Sequence, residues 1–261
     1  MKVQYCSDLH LEFPENKEFL KNNPIQAVGD ILILAGDIVP FKVMEKHNDF
    51  FDFVADNFEH TYWIPGNHEY YYSDASQRSG TFSENIRSNV VLLNNQSVVH
   101  KDVRFIFSTL WSKISPAYQF QIERGMSDFH VIKYNKYRFS ADRFNQLHSD
   151  CLGYIRSELE KPFAGKTIVV SHHMPTFLNY PPKFKGDVLN EAFAVELADL
   201  IVSSKPDYWI FGHLHGDIPV FELGSTKLLT NQLGYVKYNE HQLFNANKSI
   251  NLNMSNPVPF I

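Results

Sequence analysis

The sequence predicts a layered α/β fold whose strands lie in one mixed sheet or two stacked sheets. Three observations predict it. Short apolar runs alternate along the chain with amphipathic segments of helical period, the order expected when strands and helices occupy separate layers. Several runs are apolar at every position rather than at every second one, the pattern of strands covered on both faces. Two turn signals, Lys101-Asp102 and Gly224-Ser225, each sit between apolar runs and add antiparallel hairpins to the parallel pairing that helical crossovers impose.

In chain order, strands are expected at 2–7, 30–35, 61–65, 90–93, 103–108, 167–171 and 208–211. A helix is expected at 43–58, where Val43, His47, Phe50, Phe51, Val54 and Phe58 share one face. Segments 140–161 and 187–203 carry the same periodicity. The hairpins pair 96–101 with 103–111 and 219–223 with 227–230. Residues 112–139, SKISPAYQFQIERGMSDFHVIKYNKYRF, follow neither period. So long a stretch without structure of its own is functional or disordered, and its aromatics argue against disorder. With no repeat, low-complexity tract or linker, a single domain over 1–261 is expected, with a cap-like insertion at about 112–139.

The chain has 261 residues, 44% of them hydrophobic, and a net charge of −5. Such a chain can bury an ordinary core, and no basic excess draws it to nucleic acid. Its two cysteines, Cys6 and Cys151, do not make a disulfide scaffold and fit a reducing compartment. Cys6 lies inside a strand as a small buried hydrophobe. The chain opens directly on KVQYCS without a basic-then-apolar leader, and its apolar runs are strand-length. A cytoplasmic location without membrane partners is therefore expected.

The chemistry gathers where strands end. After VQYCS come Asp8 and His10; after ILILAG, Asp37; after YWIPG, Asn67 and His68; after TIVVS, His172 and His173; after YWIFG, His213 and His215. Ligands of open α/β sheets bind beyond the carboxyl ends of the strands, so these separate loops can converge on one site. Each piece alone has an ordinary reading. Asp8 and Asp37 could cap helices, Asn67 could sit in a turn, and a lone histidine is commonly a surface or core residue. Five repeats of the same placement are not what capping produces.

In order, the segments SDLH (7–10), GD (36–37), GNHE (66–69), SHH (171–173) and GHLH (212–215) resemble the signature blocks of the calcineurin-like metallophosphoesterase family, from Met1 to about Gly216. TNQLGY (230–235) resembles a block that follows the last motif in bacterial members. The resemblance implies a four-layer α/β/β/α sandwich of two mixed β-sheets flanked by helices, with two divalent metals at the strand C-terminal ends. It implies that Asp8, His10, Asp37 and His215 hold one metal and Asp37, Asn67, His172 and His213 the other. Only two of those seven donors are anionic, so the loaded site is positive and suits an anionic phosphoester. Imidazole and carboxylate donors admit manganese, iron or zinc. His68 is the expected catalytic residue, contacting the phosphoryl group or protonating the leaving oxygen. His173 and Asn67 are expected to face substrate.

The function expected is that of a dinuclear-metal phosphoester hydrolase, in which a metal-bridging hydroxide attacks a small phosphodiester or phosphomonoester. The alternatives are a non-catalytic metal-binding interaction module on the same fold, and a nuclease. The full donor set and His68 count against the first. The net charge counts against the second. One departure stands out. The protein-phosphatase branch carries Asp and Arg shortly after its GD motif, where this chain has Pro40 and Phe41. A Ser/Thr protein phosphatase is therefore not expected, and the carboxylate partner of His68 is not visible. Substrate choice is expected from Tyr70, Tyr71 and Tyr72 and from 112–139. There Tyr118, Phe129, Tyr134 and Tyr137 could stack on a ring, and Lys113, Arg124, Lys133, Lys136 and Arg138 could meet phosphate. Trp111 is expected in the core.

Overall fold

A computed structural model describes residues 1–216 and 218–252. The strands are β1 (Lys2–Cys6), β2 (Ile31–Leu34), β3 (His60–Trp63), β4 (Phe82–Arg87), β5 (Val90–Asn94), β6 (Gln96–His100), β7 (Val103–Phe107), β8 (Lys133–Tyr134), β9 (Tyr137–Arg138), β10 (Lys166–Val170), β11 (Tyr208–Ile210), β12 (Phe221–Leu223), β13 (Thr226–Leu229) and β14 (Ser249–Asn251). One six-stranded sheet runs β14-β1-β2-β3-β5-β4 and a second β12-β13-β11-β10-β7-β6. In each, four parallel strands form the centre and one antiparallel strand closes either edge. Both expected hairpins form, β6 with β7 and β12 with β13.

The unbroken apolar runs are explained by two buried faces. In β2, Ile31 and Ile33 point to the interface between the sheets, where they join Phe105, Phe107, Ile168 and Val170. Leu32 and Leu34 point outward and pack with Phe51 and Val54 of the helix that covers that side. The second sheet sends Ile106, Val169 and Trp209 outward to another helical layer containing Ile155 and Ile201. The result is the four-layer α/β/β/α sandwich.

The helices are α1 (Pro14–Asn22), α2 (Asn48–Asn57), α3 (Gln119–Gly125), α4 (Asp128–Val131), α5 (Ala141–Leu159) and α6 (Ala198–Ser204). α5 starts where Ser140 Oγ accepts from Arg143 N, a side-chain cap. Two expected helices are shorter than their periodicity indicates. The segment 43–58 is split into a 3₁₀ turn, Phe41–His47, and α2. Both geometries put Val43 and Phe51 toward the same apolar cluster, so periodicity cannot separate them. The segment 187–203 is split because Ala194 forms a β-bridge with Met174, and helix resumes only at α6, where Glu196 accepts from Ala198 N. Tertiary pairing overrides the local pattern there. α1, β4 and β14 were not expected from the sequence.

The segment 112–139 is ordered rather than irregular. It holds α3, α4 and the β8–β9 ribbon around a buried cluster that includes Trp111, Ile122, Phe129 and Phe139. Among the described residues, no helix is long and apolar enough to cross a membrane.

Candidate metal centre

The carboxyl ends of β1, β2, β3, β10 and β11 meet at one edge of the sandwich. Each is followed by a loop that turns sharply. Asp8, His10, Asp37, His213 and His215 all adopt left-handed backbone, with φ of 56°, 46°, 55°, 79° and 45°. That conformation costs a non-glycine residue of order 1–3 kcal/mol and persists only where the surroundings enforce it. Here Asp8 N donates to Gly36 O, His10 N to Asp37 O, and His213 N to the Asp8 carboxylate at 3.0 Å. Gly66 is a close approach: a Cβ there would lie 2.6 Å from the His172 ring and would strike Asp37 Oδ1.

The side chains fall into two sets that share Asp37. Asp8, His10, Asp37 and His215 offer donor atoms within 4.8 Å of one another, and so do Asp37, His172 and His213. In the first set, His10 Nε2 lies 2.8 Å from His215 Nε2, and His215 Nε2 3.2 Å from Asp8 Oδ1. In the second, His172 Nε2 lies 3.4 Å from Asp37 Oδ2, 3.2 Å from His213 Nδ1 and 3.3 Å from Asn67 Oδ1. All seven sequence-predicted donors are thus brought together.

The remaining ring nitrogens show that the sets fit a cation. His172 Nδ1 is 2.9 Å from Ala35 O and His213 Nε2 is 3.3 Å from Ala192 O. His10 Nδ1 is 3.4 Å from Glu12 Oε1 and His215 Nδ1 is 3.0 Å from Glu240 Oε2. In the neutral imidazole each acceptor would take the N–H, which would leave the other nitrogen's lone pair turned inward for a cation that replaces the proton. Four lone pairs and two carboxylates face one another, an arrangement that positive charge at the centre stabilises. Asn67 Nδ2 donates to Asp128 Oδ1, at 2.9 Å, which leaves its carbonyl oxygen facing His172.

The electrostatics agree. Burial pulls His215 downward, but its bonds to Asp8 and Glu240 override this and lift it to about 10. Burial likewise opposes a charge on His172, yet the neighbouring Asp37 lifts it to about 9. The carboxylates that favour a proton on these rings favour a divalent cation in its place. His213, with no carboxylate partner of this kind, is driven well below the usual histidine range by burial and by His173 and His172. Burial and Asp37 push Glu69 up to about 8, although it accepts from Asp37 N, Ile38 N, Gly66 N and Trp63 Nε1. Glu69 thereby ties the Asp37 loop to the Gly66 loop.

His68 is buried beside the first set. Its Nδ1 lies 3.3 Å from Glu12 Oε1, its Nε2 3.2 Å from the Tyr235 hydroxyl, and its ring stacks on Tyr71 at 4.0 Å between centroids. Burial works against its charge, but Asp37 and Glu12 raise its pKa. His173 is placed elsewhere. It packs against Trp111 and behind His213, with neither ring nitrogen in hydrogen-bonding geometry, and it does not line the cavity over the donors.

That cavity, of about 300 Å³, is lined by Asn67, His68, Tyr71, Met126, Phe184, Phe193 and Tyr235 among others; among the described residues no lysine or arginine lines it, and Lys183 stands at its rim over the Phe184 ring. The five basic residues named in 112–139 therefore do not reach it. Arg138 is engaged by Phe129 O and Glu123 O, and Phe129 is core. Of the tyrosine triplet only Tyr71 lines the cavity; Tyr70 is buried and Tyr72 exposed. Sequence reasoning missed Glu12, Asp128, Tyr235 and Glu240. Glu12 and Tyr235 lay inside or beside quoted motifs; Asp128 and Glu240 carried no local signal.

Residues 1–217 match the calcineurin-like phosphoesterase family, and the chain belongs to it. It is 32% identical over 263 residues to protein L509 of Acanthamoeba polyphaga mimivirus, covering 89% of this chain and 91% of that one. Its fold is similar to that of the phosphopantetheinyl hydrolase PptH of Mycobacterium tuberculosis, with a TM-score of 0.71 at 16% identity over 95% of each chain.

Proposed function

We propose that the protein hydrolyses a small phosphoester with the help of two divalent cations, manganese, iron or zinc, and that it prefers a phosphodiester to a phosphomonoester. The observation that carries the reading is the convergence of two donor sets joined by Asp37. Cations bound there supply Lewis acidity and an activated water. The protein's own groups do the rest. Asp8, Asp37, Asn67 and the four histidines would hold the charge in place, and His68 stands beside them to donate a proton to the leaving oxygen.

The lining supports the diester. A phosphomonoester brings a second negative charge, and the cavity wall, which includes Glu240, holds no lysine or arginine among the described residues; Lys183 stands only at the rim, where it faces Glu240. A diester brings one charge and two organic arms, and Tyr71, Phe184, Phe193 and Tyr235 offer those arms ring faces. The same lack of basic residues disfavours a long nucleic acid as substrate.

The test strips the protein with chelator, reloads it with manganese, and compares bis-p-nitrophenyl phosphate with p-nitrophenyl phosphate. Chelation should abolish turnover, manganese should restore it, and the diester should be favoured. Preference for the monoester would reassign the protein as a phosphatase. Cleavage of neither, with metal bound, would refute the enzymatic reading and favour an interaction module.

A further inference from the structure

We propose that Glu12 is the positioning residue for His68, supplying from the loop after β1 the carboxylate that the chain lacks at Pro40. The inference rests on the hydrolase reading and concerns how its proton donor is aimed.

Four observations converge. First, the position after the GD motif that would hold an acid is Pro40, and Phe41 follows it; no carboxylate reaches His68 from there. Second, Glu12 Oε1 lies 3.3 Å from His68 Nδ1 although the two are far apart in sequence. The left-handed turn at His10 brings Glu12 back over the site, where its side chain is only 15% exposed. Third, the other contacts of His68 leave it one productive orientation. Tyr71 stacks on its face, and its Nε2 points to the Tyr235 hydroxyl at the cavity wall. Fourth, the same Oε1 lies 3.4 Å from His10 Nδ1, so one carboxylate sets the tautomer of a donor histidine and of the proton-donating one.

The chemistry follows from that orientation. With Nδ1–H held by Glu12, the proton that His68 transfers sits on Nε2. As the bond between phosphorus and the leaving oxygen breaks, its electron pair stays on that oxygen, which takes the Nε2 proton and departs as an alcohol. The oxygen of water forms the new bond to phosphorus, and the proton it sheds restores His68. Glu12 takes up no proton; its carboxylate fixes the ring's direction.

The arrangement has two rivals. Glu12 could serve His10 alone, as a brace for metal binding, or the set His10, Glu12 and His68 could hold a third cation, since these residues also offer donor atoms within 4.8 Å. One experiment separates all three. Glu12→Gln, His68→Ala and the double variant are prepared as manganese-loaded full-length protein, with metal counted per chain. They are assayed on bis-p-nitrophenyl phosphate and on diphenyl phosphate, whose phenolate is the poorer leaving group.

At saturating manganese, with two metals counted per chain, Glu12→Gln should keep its KM, its manganese affinity falling only through His10. Its kcat should fall about 10-fold on the nitrophenyl ester and about 100-fold or more on the phenyl ester, because the poorer leaving group depends more on the proton. In the His68→Ala background Glu12→Gln should have no further effect. Equal losses on both substrates at full metal loading, or full additivity with His68→Ala, would overturn the proposal in favour of the brace. Three metals per wild-type chain would overturn it in favour of the third site. Wild-type protein that cleaves neither ester would instead sink the hydrolase reading itself.

Discussion

The two ends of the donor cluster use the same residue types and anchor them differently. At the Tyr235 end, His10 and His215 lean on the carboxylates of Glu12 and Glu240. At the Phe193 end, His172 and His213 lean on the backbone carbonyls of Ala35 and Ala192. A carboxylate behind an imidazole makes it a stronger donor, whereas a carbonyl fixes it in place without adding charge. The first end is therefore tuned by side chains on two loops. The second is set by main chain that the strands already hold. His68 stands at the tuned end, so the proton chemistry proposed for it would share one side of the site with the stronger donors.

Asp37 belongs to both ends, and its removal should have the largest effect. Asp37→Ala should lower kcat/KM by roughly 10³-fold or more, the loss of several kcal/mol of charge stabilisation. Bound manganese should fall at both ends, and retained turnover with two bound metals would dissolve the division drawn here. Glu69 supports the same shared carboxylate. Glu69→Gln turns an amide NH₂ toward donors that need an acceptor, which should cost about 1–3 kcal/mol. That predicts a melting temperature lower by roughly 5 °C in thermal denaturation; an unchanged value would mean that water takes over the lost bonds.

Glu240→Gln tests the asymmetry directly. A manganese titration should resolve two steps, of which one weakens by about 10–100-fold and the other stays put. Equal weakening of both would show that the ends are not separately tuned. His173→Phe should do least. The swap fills the same space beside Trp111 and His213 and should keep stability within about 1.5 kcal/mol, with KM on the diester unchanged. A clear rise in KM would return His173 to the substrate.

The strand-end residues were legible because they leave a local mark: Asp, Asn or His within a few residues of the end of an apolar run, next to glycine at Asp37, Asn67, His213 and His215. Asp8, His10, Asp37, Asn67, His68, His172, His213 and His215 all follow such a run and all arrive at one edge. His173 shows its limit. Successive side chains after a strand diverge, so only one histidine of the pair can face the cavity, and spacing alone does not show what the other meets. Glu240 and Asp128 carry no mark because their work is to accept one hydrogen bond from a residue distant in the chain.

What the sequence determined by itself was the layering and the inventory: runs apolar on both faces demand two coverings, and donor residues at strand ends need only the carboxyl edge to meet. The tertiary structure decided which helices survive, with Ala194 paired to Met174 instead of continuing a helix. It also decided which carboxylate stands behind each histidine and which aromatics close the cavity. Those choices depend on contacts of about 3 Å between loops far apart in the chain, and no local pattern of residues encodes a distance of that kind.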